Sequence, residues 1–516
     1  MIIKKTLLCL SIVTLMSGCN NSSDDTKSSD TKVKNVILMI NDGASYGTWD
    51  MASYWSEGKL ANDSSVYSDM KLRLGVSTYP LNTSSTPTHN DESQVNYDKS
   101  RAWQTSLNDE VQDKDGYEAY IKGYQYLREN YTDSAASGTA FATGVKTYNN
   151  AVGHDNYDRP LTNITQIAKQ KGMSTGVVSS VQISHATPAT FSAHNTTRRD
   201  MTGISIDQLT NGYVDLLMGT GHPEWDDEGN NMLLLSHENP QECNAHWACQ
   251  NRFNNIDEGA WESLRKGTLY RDGIEKPNRL ISDKGEFELL ASGNMDLDLD
   301  APLVGIPKVR NTLQASRSTD MGKDPRWPSG VAQLESVPSL ETMTKGALNY
   351  LGAKNTGFFL MVEGGATDWA AHDHQQGHHK VNYLIEETYD FNQSVAAVKA
   401  WVEENSNWEE TVLIVTTDHG NAMPMSVLSD LPDHAYEVPE NFGAGNSAID
   451  GVNVRFWSNQ HTNELVRLWA KGDKASLLNN FIIDQDEGFS LHTKHNTDGS
   501  YLDNTDVFRA IKAMLD

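Results

Sequence analysis

Cysteine is almost missing from this chain, and so is any apolar run long enough to cross a bilayer. Among 516 residues there are four cysteines, Cys9, Cys19, Cys243 and Cys249. No further Cys or His pair stands at zinc-finger spacing from Cys243 and Cys249, so in an exported chain these two are expected to close a short disulfide loop. The N-terminal apolar run, Thr6 to Met16, follows Lys4 and Lys5 and stops at Ser17-Gly18-Cys19. That is too short for a span and reads as an export signal over residues 1–18. A Cys directly after two small residues marks Cys19 as the acylated first residue of a mature lipoprotein. Residues 19–34, rich in Ser, Asp, Thr and Lys, then read as a flexible tether. The destination is the periplasm, or the outer membrane through a lipid anchor, of a Gram-negative bacterium.

Positive charge is scarce as well. Lys and Arg total 42 against 69 Asp and Glu, a net charge of −27, which excludes nucleic acid as a partner of the general surface. Such an exterior also repels anionic substrates at long range, so a site for one must bring its own positive charge, as metal ions would. Hydrophobic residues at 38% and charged ones at 22% suit a globular protein. The length allows one large α/β body with insertions.

Short β-branched runs recur, and each ends in an acid. Asn35-Val36-Ile37-Leu38-Met39-Ile40-Asn41 meets Asp42-Gly43; Thr356 to Val362 meets Glu363-Gly364-Gly365; Thr411 to Thr417 meets Asp418-His419-Gly420. These read as buried parallel strands. Ligand sites of open parallel sheets lie beyond the carboxyl ends of strands, so the three acids are expected to converge. Helical spacing falls between them, in Leu384, Thr388, Phe391, Val395, Val398 and Val402, and in Ile164, Ile167 and Ala168 ahead of Gly172. Strands at 175–179 and 214–218 follow. The alternation predicts a doubly wound, mostly parallel sheet with helices on both faces. Two intervals, about 77–131 and about 219–336, break the rhythm and read as insertions, serving as rims or lids of the site or as a homodimer contact.

The stretch Thr132-Asp133-Ser134-Ala135-Ala136-Ser137-Gly138-Thr139-Ala140 is dominated by small residues. It predicts a helix packed tightly on the sheet, with an anion-favouring N-terminus at Ser134. Taken alone, Ser134 reads as the helix N-cap. Its context differs. Asp368 and His372 are four apart, which puts both on one helical face where they can clamp a metal. His374 is out of phase with Asp368, and His378-His379 reads as solvated. Asp418-His419 pairs a carboxylate with an imidazole at a strand end, and His461-Thr462 follows a Gly/Asn-rich approach.

In these motifs the chain resembles the alkaline phosphatase family, from about Asn35 to Tyr501-Leu502-Asp503-Asn504-Thr505-Asp506-Val507-Phe508. The resemblance implies a catalytic domain over 35–516 and a phosphate monoesterase, a phosphoric monoester hydrolase that acts on small-molecule monoesters through a phosphoserine on Ser134. It implies two zinc ions and one magnesium ion per chain. Asp42, Asp418 and His419 would hold one zinc, and Asp368, His372 and His461 the other. Asp42, Thr187 and Glu363 would hold magnesium, and Arg198 would bind phosphate. His185 and Trp369 depart from the commonest bacterial pattern, where an acid and a Lys or His stand, and are similar to some marine members; loss of the acid weakens the case for magnesium. A phosphodiesterase of the same superfamily and a non-catalytic metal- or phosphate-binding lipoprotein are the alternatives. A sulfatase is disfavoured, because Ala-Ala-Ser-Gly after Ser134 lacks that family's Pro and Arg.

Overall fold

The structure, a computed structural model, describes residues 33–104, 106–108, 120–373, 378–426, 454–493, 495 and 497–516. The leader, Cys19 and nearly all of the tether lie outside these residues.

Eleven strands form one sheet among the described residues. In chain order they are β1 (Asn35–Ile40), β2 (Leu72–Ser77), β3 (Ser174–Gln182), β4 (Leu216–Thr220), β5 (Arg279–Ile281), β6 (Leu303–Gly305), β7 (Phe358–Glu363), β8 (Thr411–Thr416), β9 (Val466–Lys471), β10 (Asp484–Gln485) and β11 (Ser500–Asp503). Across the sheet the order is β10-β11-β2-β9-β8-β1-β7-β3-β4-β6-β5. From β8 to β5 every pairing is parallel, while β9 runs antiparallel to both β8 and β2.

The two-residue alternation of a strand explains why both faces are covered. In β1, Val36, Leu38 and Ile40 enter one core with Phe141, Ile164 and Ile511, while Ile37 and Met39 enter the other with Trp49, Met343 and Phe391. Helices α1 (Tyr46–Glu57), α2 (Ser134–Thr143), α3 (Ile164–Gln170), α4 (Ala186–Thr190), α5 (Leu340–Ala353), α6 (Ala366–His372), α7 (His378–Asn405) and α8 (Asn504–Leu515) supply most of those partners. In α7, Phe391, Val395, Val398 and Val402 face the second core, at roughly 1.5–3 kcal/mol for each fully buried side chain.

The interval 219–336 is not wholly peripheral, because β5 and β6 extend the sheet in parallel. At three residues each they are too short to stand out as apolar runs in sequence. The same interval holds the disulfide between Cys243 and Cys249, whose Cα atoms are 5.4 Å apart.

Parallel register delivers the acids to one edge. Ile40 lies beside Glu363 on one side and Thr416 on the other, so Asp42 and Asp418, each two residues further on, emerge next to Glu363. Ser179 of β3 is level with Glu363, and its chain continues to His185 above the same edge.

Candidate active site

Ser134 is the first residue of α2, not its cap. Asp133 takes the capping role, its carboxylate accepting from the Ala136 N–H at 2.9 Å. A charged acceptor suits the positive helix end, and the arrangement frees the Ser134 hydroxyl, which lies 3.2 Å from His419 Nε2. Small residues let the helix sit directly on the strand ends. Ser137 Oγ, for instance, donates to the Asp418 carbonyl at 2.6 Å.

Three groups of potential metal ligands surround Ser134. In the first, Asp368 and His372, on the one-sided helix α6, meet His461 from the other side of the cleft. His461 Nε2 is 3.3 Å from Asp368 Oδ1, and His372 Nε2 is 3.5 Å from Asp368 Oδ2. In the second, Asp42 and Asp368 gather with His419, whose Nε2 is 3.5 Å from Asp42 Oδ1, and Asp418 Oδ2 stands 3.2 Å from the same nitrogen. The third joins Asp42, Glu363 and His185, with Thr187 Oγ1 donating to Asp42 Oδ2 at 3.4 Å. The groups adjoin one another, because the His419 and His461 rings stack with centroids 3.6 Å apart. His374 lies outside the described residues, as do the side chains of His378 and His379.

The donors are preset for cations. His461 Nδ1 faces the Thr132 carbonyl at 2.8 Å and His419 Nδ1 the Gly420 carbonyl at 3.3 Å. A carbonyl only accepts, so each Nδ1 carries a proton and Nε2 is the nitrogen left to face the carboxylates, where a cation would take the place of its proton. Asp418 Oδ1 is held by the Gly43 and His419 N–H groups, while Asp418 Oδ2, Asp42 Oδ1 and Glu363 Oε1 are buried without a hydrogen-bond partner. Buried carboxylate oxygens without donors are costly unless a cation meets them, so the residues present fit bound metal ions. Gly43 belongs to the same construction. Its φ is +71°, and a Cβ there would stand 2.7 Å from Asp368 Oδ1.

Crowding leaves its mark on the titrations. Burial, then Asp418, pushes the Asp42 carboxyl well above its usual range. Burial raises Glu363 to about 8 and, with Asp368 nearby, Asp418 to about 6. Asp368 departs the other way, since burial is outweighed by His372 and His461, which hold it well below the carboxylate range. Protons on the first three carboxyls substitute for missing positive charge, and a cation would displace them.

Arg198 is fixed beside Ser134. One guanidinium nitrogen donates to Asp133 Oδ2 at 3.1 Å, and the other lies 3.0 Å from His185 Nε2. His185 in turn meets the Trp369 ring edge-on, with centroids 5.8 Å apart. Trp369 also packs against Val181 and Ala315, so the 219–336 interval reaches the rim of the site.

Four residues that sequence reasoning missed shape the cleft. Asp133 orients Arg198 as well as capping α2, Ser179 Oγ donates to Glu363, Asn421 Nδ2 donates to Asp368 Oδ1 at 2.7 Å, and the Thr132 carbonyl sets the His461 tautomer. Only Asp133 left a local signal, an Asp directly ahead of a small-residue helix.

A family profile for alkaline phosphatase matches residues 96–230 and 308–441, just over half of the chain. Alkaline phosphatase 4 of Bacillus subtilis is 32% identical over 300 residues, an alignment covering 56% of this chain and 49% of that protein. Alkaline phosphatase 3 of the same organism is 30% identical over 313 residues, covering 59% and 53%. The chain thus spans about half the length of these curated relatives. Among solved structures, a cold-active alkaline phosphatase from the psychrophile Shewanella sp. superposes with a TM-score of 0.57 at 20% identity, over 93% of this chain and 100% of that one. That likeness extends the shared fold to the strands outside the profile. With its acids and histidines gathered at one edge of such a sheet, the chain belongs to the alkaline phosphatase family.

Proposed function

We propose that this chain hydrolyses phosphate monoesters to an alcohol and inorganic phosphate by two successive displacements at phosphorus, with Ser134 as the nucleophile. The observation that carries the reading is the Ser134 hydroxyl, buried at a helix N-terminus and 3.2 Å from His419 Nε2 amid three groups of metal donors. Asp42, Asp418 and His419 would hold one zinc, Asp368, His372 and His461 a second, and Asp42, Thr187 and Glu363 a magnesium ion. When bound, these ions supply Lewis acidity, lowering the pKa of the serine hydroxyl and of water and offsetting charge on the leaving oxygen.

The remaining work falls to the chain itself. Ser134 Oγ gives up its proton and bonds to phosphorus as the ester oxygen departs and is protonated to the alcohol, giving a phosphoserine; water then bonds to phosphorus as Ser134 Oγ leaves and regains a proton, releasing inorganic phosphate. The N-terminus of α2 favours the phosphoryl oxygens, and its Asp133 cap keeps the serine out of the helix's own hydrogen bonding. Asp133 and His185 hold the Arg198 guanidinium in one plane, leaving its fork for two non-bridging oxygens. Ser134, Arg198 and the metal donors address phosphate or metal and none of them reads the alcohol, so broad specificity follows. The same reading takes the catalytic body as 35–516, with rims at about 77–131 and 219–336, exported and anchored through Cys19. No helix among the described residues is long and apolar enough to cross a membrane.

Purified protein will contain about two zinc ions per chain, on the two-metal scheme for in-line displacement. It will hydrolyse p-nitrophenyl phosphate far faster than bis(p-nitrophenyl) phosphate and lose that activity to a chelator. Preference for the diester would turn the assignment to a phosphodiesterase, and absence of chelator-sensitive turnover would point to a binding protein. Arg198→Lys tests the fork. A lysine cannot serve Asp133, His185 and two phosphate oxygens together, so KM is expected to rise roughly 10- to 100-fold, as loss of a charged hydrogen bond implies. An unchanged KM would remove Arg198 from phosphate binding.

A further inference from the structure

His419 and His461 are carried by very little regular structure. Gly420 pairs with Thr462 and Asn421 with His461, a ladder of two residues on each side. So short a pair is marginal by itself, yet it carries the backbone next to His419, all of His461, and the Asn421 amide that holds Asp368. One side of the ladder is clamped by Ser45, which exchanges hydrogen bonds with the Asn421 backbone at 2.8 and 2.9 Å. Glu464, only 1% exposed, packs its carboxyl against Gly420, with both oxygens buried and short of well-formed hydrogen bonds. A methyl group on Gly420 would overlap the Glu464 carboxyl and stand 2.5 Å from Thr462 Oγ1, so the glycine is what lets both side chains close on the ladder.

The chemistry proposed for the site does not use this acid. Among the described residues no ion pair reaches it; the nearby Arg467 pairs with Asp50 at 2.8 Å and acts on Glu464 only through its charge. Burial pushes the carboxyl up to about 8, opposed by Ser45 and Thr462, so at neutral pH it is largely the uncharged acid. For the fold alone, an apolar side chain of similar size would serve as well or better. Resting on the two-zinc reading above, we propose that Glu464 is a positioning residue, which braces the Gly420–Asn421 and His461–Thr462 ladder from beneath and so sets how long the chain retains zinc.

The test is the rate at which zinc leaves the loaded full-length protein for an excess of a chelating dye, read beside the urea midpoint. Glu464→Leu is expected to release zinc roughly tenfold faster or more, the scale for loss of an outer support of metal ligands, with a urea midpoint equal to or above wild type. Glu464→Gln, which keeps the shape and hydrogen-bonding capacity of the neutral acid, is expected to release zinc at the wild-type rate. A structural role would move midpoint and release together, whereas bracing moves them apart. If the leucine variant does not fold, Glu464→Asp, which withdraws the carboxyl from Gly420, carries the same expectation of faster release. Wild-type retention in the variant that folds, or a glutamine variant as leaky as leucine, overturns the role of Glu464. Wild-type protein that takes up no zinc overturns instead the two-zinc reading on which it rests.

Discussion

Replacing Ser134 with alanine will lower monoester turnover on the order of 10^4- to 10^6-fold, the scale seen when a catalytic nucleophile is removed, and will leave zinc content and stability close to wild type. The second half of this expectation is what makes the first informative. Because Asp133 supplies the cap, Ser134 Oγ contributes nothing to the helix backbone, and alanine is the best helix former for its position. The hydroxyl's partner is His419 Nε2, which the proposal gives to a metal ion, so its removal strands no donor. A fold intact and a site loaded, yet nearly inert, isolates the nucleophile from every other function of the cleft. The residual rate reports direct attack by water. Incubation with inorganic phosphate followed by acid quench should leave phosphate on wild-type protein and none on the variant. Equal turnover in the two proteins would end the covalent mechanism, whatever the metal content.

The parts of the site legible in sequence are those that backbone periodicity places. Asp42, Glu363 and Asp418 follow β-branched runs whose parallel register needs no side-chain information to bring their ends level. Asp368 and His372 are linked by helical spacing, and α6 does carry both. What sequence could not disclose depends on contacts between distant segments. Asn421 matters because it reaches Asp368, Ser179 because it reaches Glu363, and Trp369 because Ala315 arrives beside it from another part of the chain. None of these has a local pattern. The choice of cap is another matter. Both Asp133 and Ser134 are good caps, and only the three-dimensional demand that the hydroxyl face His419 decides between them. The antiparallel strand β9 escaped notice for a related reason, since direction is set by the connection and not by the residues of the strand.

The largest loss of stability is expected away from the chemistry, at Glu386. Its carboxylate meets the Arg317 guanidinium at 2.6 Å with side-chain exposures of 1% and 0%. Arg317 is otherwise saturated. It donates to the carbonyls of Gln314, Val331 and Ala332 and to Ser329 Oγ, and it lies 4.5 Å over the Tyr383 ring. Four neighbours from 314–332 thus converge on one cation, and Glu386 of α7 supplies the charge that ties them to the helical layer. Glu386→Leu leaves that cation buried and unpaired, at a cost of about 3–5 kcal/mol, read as a lower urea midpoint. Pairing it with Arg317→Met removes both charges and should recover part of the loss, because two apolar groups need no compensation. Since Ala315 of the same segment packs on Trp369, the single variant should also disturb the rim. Its KM for p-nitrophenyl phosphate is expected to shift more than its kcat, as Ser134 and the metal donors stand on strand and helix ends that this ion pair does not touch. A midpoint equal to wild type would mean that 314–332 is held by its apolar contacts alone.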